Sequence, residues 1–158
     1  MKRVLIALDY DPTAQKVAET GHKLAKAMKA QTYLLHVVSD STYYSSPNYS
    51  PIMGFESFGN MVEIYSSEEL KKAAHKYLDT SKRHLNDETI QTCVKTGNFG
   101  EAILDTAAEL KADIIVLGTH SRRGLEKILI GSVAENVLHH SLIPLLIIPT
   151  RAFLKNQL

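Results

Sequence analysis

Four short runs of apolar residues recur along the chain without the alternation of polar and apolar positions that marks a half-exposed sheet. They cover residues 4–8, 33–38, 114–117 and 145–148. Uninterrupted runs of this length are typical of parallel strands that helices cover on both faces. Residues 89–95 form a fifth, weaker candidate. The pattern therefore predicts five strands.

Segments with helical spacing lie between these runs. The first presents one apolar face, made of Val17, Ala18, Gly21, Leu24, Ala25 and Met28. Asp11 as N-cap and Pro12 at the first helical position predict its start. The second segment, over about 66–85, opens with Ser66 and Glu69 at the spacing of a capping box.

Asn98 and Glu101 open a third helix in the same arrangement, and a fourth is predicted from residue 133 to about 140. Strands that alternate with such helices form βαβ units. The sequence therefore predicts an α/β fold: a single-domain, open, doubly wound sheet of five mainly parallel strands with helices on both faces. Ligands of such sheets bind beyond the carboxyl ends of the strands, so functional residues are expected after the first, second and fourth strands.

The length of 158 residues fits one domain, which we assign to residues 1–150, with residues 151–158 as a C-terminal tail. Residues 39–61 interrupt the pattern as an irregular insertion rich in Tyr, Ser, Pro and Gly. Long loops of this kind are surface insertions, lids over a ligand or partner contacts. The sequence leaves these alternatives open.

Charge and cysteine content exclude several classes of function. The 18 Lys and Arg against 17 Asp and Glu leave a formal charge of +1, so no global field attracts nucleic acid or an acidic membrane. The single cysteine, Cys93, excludes an internal disulfide and multi-thiolate zinc sites, and fits a reducing cytosol. The first apolar run is too short for a signal peptide or a membrane span. A cytoplasmic protein is expected.

The segment from Gly118 to Ser132 carries the clearest chemistry. It holds three glycines and several basic residues, and it ends where a helix begins. Glycine lets backbone approach a phosphate, and the first amides of a helix offer unpaired donors to an anion. Neither a Walker P-loop nor a dinucleotide fingerprint is present. Because Ser132 and Glu135 have the spacing of a capping box that suits any helix start, a phosphate site and a simple helix boundary both remain open.

Other candidate groups have structural explanations. His36 lies within a strand and is predicted to be a satisfied core histidine. His139 and His140 are adjacent on a helix, so they point in different directions and do not form a metal pair. No nucleophile with an adjacent base and no G-x-S-x-G elbow occurs, so catalysis is not predicted from the residues.

The chain from Lys2 to Pro149 resembles the universal stress protein family. The nucleotide-binding branch of that family carries G-x-x-G-x(9)-G-S/T after the fourth strand, and this chain has Gly118-x-x-Ser121-x(9)-Gly131-Ser132. The sequences Val-Leu-Gly-Thr-His at 116–120, Gly-Ser-Val-Ala-Glu at 131–135 and Ile-Pro-Leu-Leu-Ile-Ile-Pro at 143–149 are similar to the family too. The resemblance implies a Rossmann-like sheet of the adenine nucleotide alpha hydrolase-like type.

The resemblance also implies a site for ATP, AMP or a related adenine nucleotide. Asp9 and the backbone of Val38 would hold the adenine and ribose, and Leu117 and Gly118 would line the nucleoside. The residues against the phosphates would be Ser121, Gly131, Ser132 and Val133. His120, Arg122 and Arg123 are further candidates for phosphate contact in the same loop, the alternative for the arginines being simple solvation. Mg²⁺, if bound, would arrive with the phosphates.

Ser121 departs from the motif, which has its second glycine there. A Cβ narrows the space for phosphate, although a serine hydroxyl can donate to a phosphate oxygen. The leading hypothesis is an adenine-nucleotide-binding, dimeric stress-response or regulatory module. The alternatives are a slow ATP hydrolase, for which no base can be named, and a partner-binding dimer without nucleotide. Edge pairing through residues 145–148 resembles the dimers of the family and removes an exposed apolar edge.

Overall fold

A computed structural model describes residues 1–39, 66–119 and 130–150 of the protein. The elements follow in chain order: β1 (Arg3–Ala7), α1 (Ala14–Ala27), β2 (Gln31–Val38), α2 (Ser67–Leu85), β3 (Gln91–Thr96), α3 (Phe99–Glu109), β4 (Ile114–Gly118), α4 (Ser132–His140) and β5 (Leu145–Ile148). All strand pairs are parallel and the order is β3-β2-β1-β4-β5. The predicted doubly wound α/β fold is confirmed.

Helices cover both faces of the sheet because successive strand residues point to opposite sides. In β1, Val4 and Ile6 pack with residues of α1 and α2, whereas Leu5 packs with residues of α3 and α4. All three side chains are fully buried. This two-sided burial explains why the strand sequences lack polar alternation.

The strand order reverses beside β1. From β1 the chain continues to β2 and β3 on one side, and β4 and β5 lie on the other. β4 joins β1 from far along the chain, and the Asp113 amide donates to the Arg3 carbonyl at 2.8 Å. The reversal opens a crevice at the carboxyl ends of β1 and β4, where sheets of this type bind ligands.

Two of the predicted helix starts are confirmed. The Glu69 amide donates to Ser66 Oγ at 3.3 Å and the Ser66 amide donates to Glu69 Oε2 at 2.9 Å, which completes the capping box of α2. At α3, the Glu101 amide donates to Asn98 Oδ1 at 3.1 Å. These side chains satisfy amides that the helices cannot pair internally.

The predicted start of α1 is wrong by two residues. Asp11 Oδ1 accepts from the Thr13 amide at 2.9 Å and from the Thr13 hydroxyl at 2.5 Å, which forms a turn ahead of the helix. The first helical residue is therefore Ala14, whose amide donates to the Asp11 carbonyl at 2.8 Å. Asp11 still satisfies an orphan amide, but Pro12 lies in the turn rather than in the helix.

A similar turn shifts β3. Asp87 Oδ1 accepts from the Thr89 amide at 2.9 Å and from its hydroxyl at 2.6 Å, so Thr89 lies outside the strand that was predicted to begin there. The other carboxylate oxygen, Asp87 Oδ2, lies 3.2 Å from Nε2 of the buried His22, whose Nδ1 is 3.1 Å from Thr32 Oγ1. This group links α1, β2 and the turn at the amino ends of the strands.

Candidate functional site

β4 ends at a position that has no room for a side chain. A Cβ added to Gly118 would lie 2.7 Å from Val17 Cγ2 and 3.3 Å from Thr150 Cγ2. The first distance is too short for a real Cβ contact, so a side chain at this position would force Val17 to move, and glycine allows α1 to pack against the end of β4. Packing therefore favours glycine at position 118, independently of any ligand.

Two threonines tie together the chain segments that leave β4 and β5. The Thr119 amide donates to the Ile148 carbonyl at 3.0 Å, and the Thr150 amide donates to Thr119 Oγ1 at 3.1 Å. The Thr150 hydroxyl donates to the Thr119 carbonyl, and Thr150 as a residue is only 2% exposed. Sequence reasoning missed this pair, whose only signal was a threonine one residue after β4 and another two residues after β5.

α4 begins at the carboxyl side of the sheet with a glycine cap. Gly131 has φ +90° and ψ 147°, a backbone conformation that L side chains rarely adopt, and its carbonyl accepts from the Glu135 amide at 2.9 Å. The predicted Ser132 cap is wrong, because Ser132 is already the first helical residue. In residues 130–150 no side chain caps this helix start. The amides of Ser132, Val133 and Ala134 are its orphan donors.

The exit of β1 is held by hydrogen bonds on several sides. Asp9 Oδ1 accepts from the Asp11 amide at 3.0 Å, and the Asp9 carbonyl accepts from the Tyr77 hydroxyl at 2.6 Å. The preceding carbonyl, of Leu8, accepts from His36 Nδ1 at 2.7 Å. The half-buried Asp9 carboxylate therefore has a defined place at the carboxyl end of β1.

Tyr10, His36 and Tyr77 form a cluster beneath this exit. The ring centroids of Tyr10 and His36 are 4.2 Å apart, and those of Tyr10 and Tyr77 are 4.9 Å apart. His36 is 3% exposed, so the predicted core position is confirmed. Its Nδ1 is satisfied by the Leu8 carbonyl, whereas among the described residues its Nε2 has no hydrogen-bond partner, so the prediction of a satisfied histidine holds for one ring nitrogen only.

The buried histidines make stability depend on pH. Burial lowers the pKa of His36 below its usual 6.5, against the opposing hydrogen bond to Leu8 and the charge of Asp9, and burial lowers the pKa of His22 in the same direction. The unfolded chain therefore binds more protons once the pH falls below about 6.5. Hydrogen bonds from Thr89 lower the pKa of Asp87 below its usual 3.8, so Asp87 affects stability only at pH values well below this range.

We expect the free energy of unfolding to fall as the pH is lowered from 7.5 to 5.5, by up to about 1.4 kcal/mol per pH unit for each histidine. Urea denaturation across this range measures it. His36→Asn keeps a donor for the Leu8 carbonyl but cannot titrate, so its curve should be shallower. Parallel curves for the two proteins would contradict the assignment to His36.

Val38 is the last residue of β2, and its carbonyl already accepts a hydrogen bond. The Gly97 amide donates to it at 3.0 Å, on the β3 side. The Val38 side chain is buried against Leu70 and Ala74 of α2. A carbonyl oxygen has a second acceptor position, so the predicted role of the Val38 backbone stays a prediction.

The structure brings several predicted site residues to the same end of the sheet. Those described there are Asp9, Val38, Leu117, Gly118, Gly131, Ser132 and Val133. Leu117 itself is buried in the core beneath α3 and α4. His120, Ser121, Arg122 and Arg123 lie outside the described residues, as do residues 40–61 of the insertion and the tail at 151–158.

Residues 1–39, 66–119 and 130–150 contain no group of three His, Cys, Asp or Glu side chains that could hold a metal ion. Among the helices within those ranges, none has the length and apolar character to cross a membrane.

Comparison with known proteins gives consistent matches over almost the whole chain. The model of the universal stress protein family matches residues 1–149. Universal stress protein MJ0577 of Methanocaldococcus jannaschii is 29% identical over 153 residues, which cover 93% of this chain and 94% of that protein. Universal stress protein MJ0531 of the same organism is 31% identical over 149 residues, covering 93% and 81%.

Solved structures give the same result. The structure of MJ0577 matches with a TM-score of 0.66 at 28% identity, and the match covers 94% of this chain and 95% of that one. The universal stress protein of Archaeoglobus fulgidus in complex with dAMP matches with a TM-score of 0.61 at 17% identity, covering 94% and 98%. At that identity the likeness shows a shared fold.

Proposed function

Since the chain belongs to the universal stress protein family, we propose that it binds an adenine nucleotide, ATP or AMP, in the crevice between the carboxyl ends of β1 and β4. The observation that carries this proposal is the start of α4. There a positive-φ glycine precedes three orphan amides with no side-chain cap in the described residues. In this proposal the protein is a dimeric stress-response or regulatory module.

The start of α4 suits the phosphate end of such a ligand. Unpaired first-turn amides and the positive end of the helix dipole attract an anion, and Gly131 lets the chain approach it closely. Glu135 is the acid of the first turn, but its carboxylate lies 3.9 Å from His139 Nε2, one turn further along the helix. Mg²⁺ would enter with the phosphates.

The exit of β1 suits the nucleoside end. Asp9 offers carboxylate oxygens, which accept hydrogen bonds from ribose hydroxyls or an amine. β1 and β4 are paired neighbours, so the Asp9 turn and the Gly118 exit both border the crevice. Universal stress proteins of this fold have been solved in complex with cAMP and dAMP, which supports the choice of ligand class.

We expect freshly purified protein to release an adenine nucleotide on denaturation, detected by mass spectrometry. The emptied protein should then bind ATP or AMP with one site per chain in calorimetry, with Mg²⁺ present and absent. GTP is the control for recognition of the base. An empty protein that gives no binding heat with any adenine nucleotide would refute the proposed function.

The dimer in this proposal forms through the edge of β5. Ile115 and Thr119 of the β4 side donate to the carbonyls of Pro144 and Ile148. In a parallel ladder successive residues direct their backbone groups to alternate sides, so those of Leu145 and Ile147 point away from β4. An edge of this kind is a template for pairing with a second chain.

Apolar side chains at the α4 end of the molecule support the same surface. Leu142 is fully exposed and Leu138 is 48% exposed. Leu138 lies near the end of α4, and Leu142 lies in the segment that leads from α4 into β5. Their burial against a second copy would add apolar area to the backbone pairing.

A further inference from the structure

Two successive carbonyls at the exit of β1 are held by side chains from two other elements. His36 of β2 binds the Leu8 carbonyl at 2.7 Å, and Tyr77 of α2 binds the Asp9 carbonyl at 2.6 Å. A carbonyl can only accept, so His36 Nδ1 carries the proton of this hydrogen bond. The position of Asp9 is thus set by long-range contacts. His36 is 28 positions from Leu8 in the chain, and Tyr77 is 68 positions from Asp9.

The donor on Tyr77 is fixed in both position and protonation. Its ring contacts Tyr10 edge-on at 4.9 Å and His36 at 5.7 Å between centroids. Burial, and then the charge of Asp9, raise the pKa of Tyr77 far above its usual value. The hydroxyl therefore remains a donor at every physiological pH.

The Asp9 side chain is fixed from the other direction, because its Oδ1 accepts from the Asp11 amide at 3.0 Å. Backbone and carboxylate of Asp9 are therefore held separately, by α2 and by the turn before α1. A binding group that is fixed before the ligand arrives loses little entropy on binding.

We propose that Tyr77, packed against Tyr10 and His36, is a positioning residue that sets the Asp9 carboxylate for the nucleoside of the bound nucleotide. This inference rests on the proposed function and deepens it. Tyr77 itself contacts Asp9 rather than the ligand. Its hydroxyl determines how well the protein selects a ribose, because the selectivity depends on where the Asp9 oxygens lie.

Tyr77→Phe removes only the hydroxyl and keeps the ring. We expect it to weaken AMP and ATP binding equally, about 5- to 10-fold, the effect of one neutral hydrogen bond. The preference for ATP over 2′-deoxy-ATP should shrink in the same variant. Tyr33→Phe, a matched change on β2 toward the opposite face of the sheet, should leave both quantities unchanged.

A double-mutant cycle separates positioning from general support of the fold. If Tyr77 acts through Asp9, the variant with both Asp9→Asn and Tyr77→Phe binds as weakly as Asp9→Asn alone. Additive losses, or an unchanged ribose preference in Tyr77→Phe, would overturn the inference and leave the nucleotide site standing. A wild-type protein that binds no adenine nucleotide would refute the proposed function, and this inference with it.

Discussion

Ser132→Glu is expected to lower the affinity for ATP about 100-fold, which corresponds to about 2.7 kcal/mol. The new carboxylate would stand at the first position of α4, beside the amides proposed to bind phosphate. Two like charges about 4 Å apart near a protein surface repel by about 4 kcal/mol before screening. The same charge interacts favourably with the dipole of α4, so we expect the free energy of unfolding to rise by about 0.3–1 kcal/mol.

The matched control is Ser67→Glu, at the first position of α2. It adds the same charge to the first position of a helix whose start is already capped by Ser66 and Glu69 and lies away from the proposed phosphates, so ATP affinity should not change. Calorimetry at two salt concentrations measures both variants, and urea denaturation reports their stability. Equal affinity in Ser132→Glu and wild type would place the phosphates elsewhere.

Ile147→Pro is expected to convert the proposed dimer into a monomer that keeps its sheet. Proline removes the one backbone donor at position 147, and that donor points away from β4. Strand edges tolerate proline on their open side, so the pairing of β5 with β4 should survive. Sedimentation equilibrium measures the mass of the particle, and far-ultraviolet circular dichroism measures the fold.

Two further variants serve as controls for Ile147→Pro. Ile147→Val keeps the donor and should remain dimeric. Leu146→Pro removes a donor that points toward β4, so it should destabilise the sheet itself. A wild-type protein that sediments as a monomer at all concentrations would refute the proposed dimer, as would an Ile147→Pro variant that stays dimeric.

The fold was predictable because its strands are buried on both faces. Apolar runs such as the one around Leu5 and Ile6 identify central parallel strands, and the capping box at Ser66 identifies a helix start without tertiary information. The predicted start of β3 was two residues too early, because an edge strand is less apolar and because Thr89 is hydrogen-bonded in the Asp87 turn. Local patterns suffice where local interactions decide the structure.

The site was less predictable because it depends on torsion angles and distant contacts. The spacing of Ser132 and Glu135 suggests a capping box, whereas the cap is set by the positive φ of Gly131. The Tyr77 contact with Asp9 joins residues 68 positions apart, and neither residue type signals it. Family resemblance supplied the ligand class, which the residues alone left open between a phosphate site and a helix boundary.

The position of β1 at the centre of the sheet has a consequence for biosynthesis. Its neighbour β4 is joined to it at Arg3 and Asp113, 110 residues later. Translation at about 5–20 residues per second would expose the open side of β1 for about 5–20 s before that partner is made. Folding of the sheet therefore has to wait for the C-terminal third of the chain, and chaperones that shield apolar strand edges should engage the nascent protein during this interval.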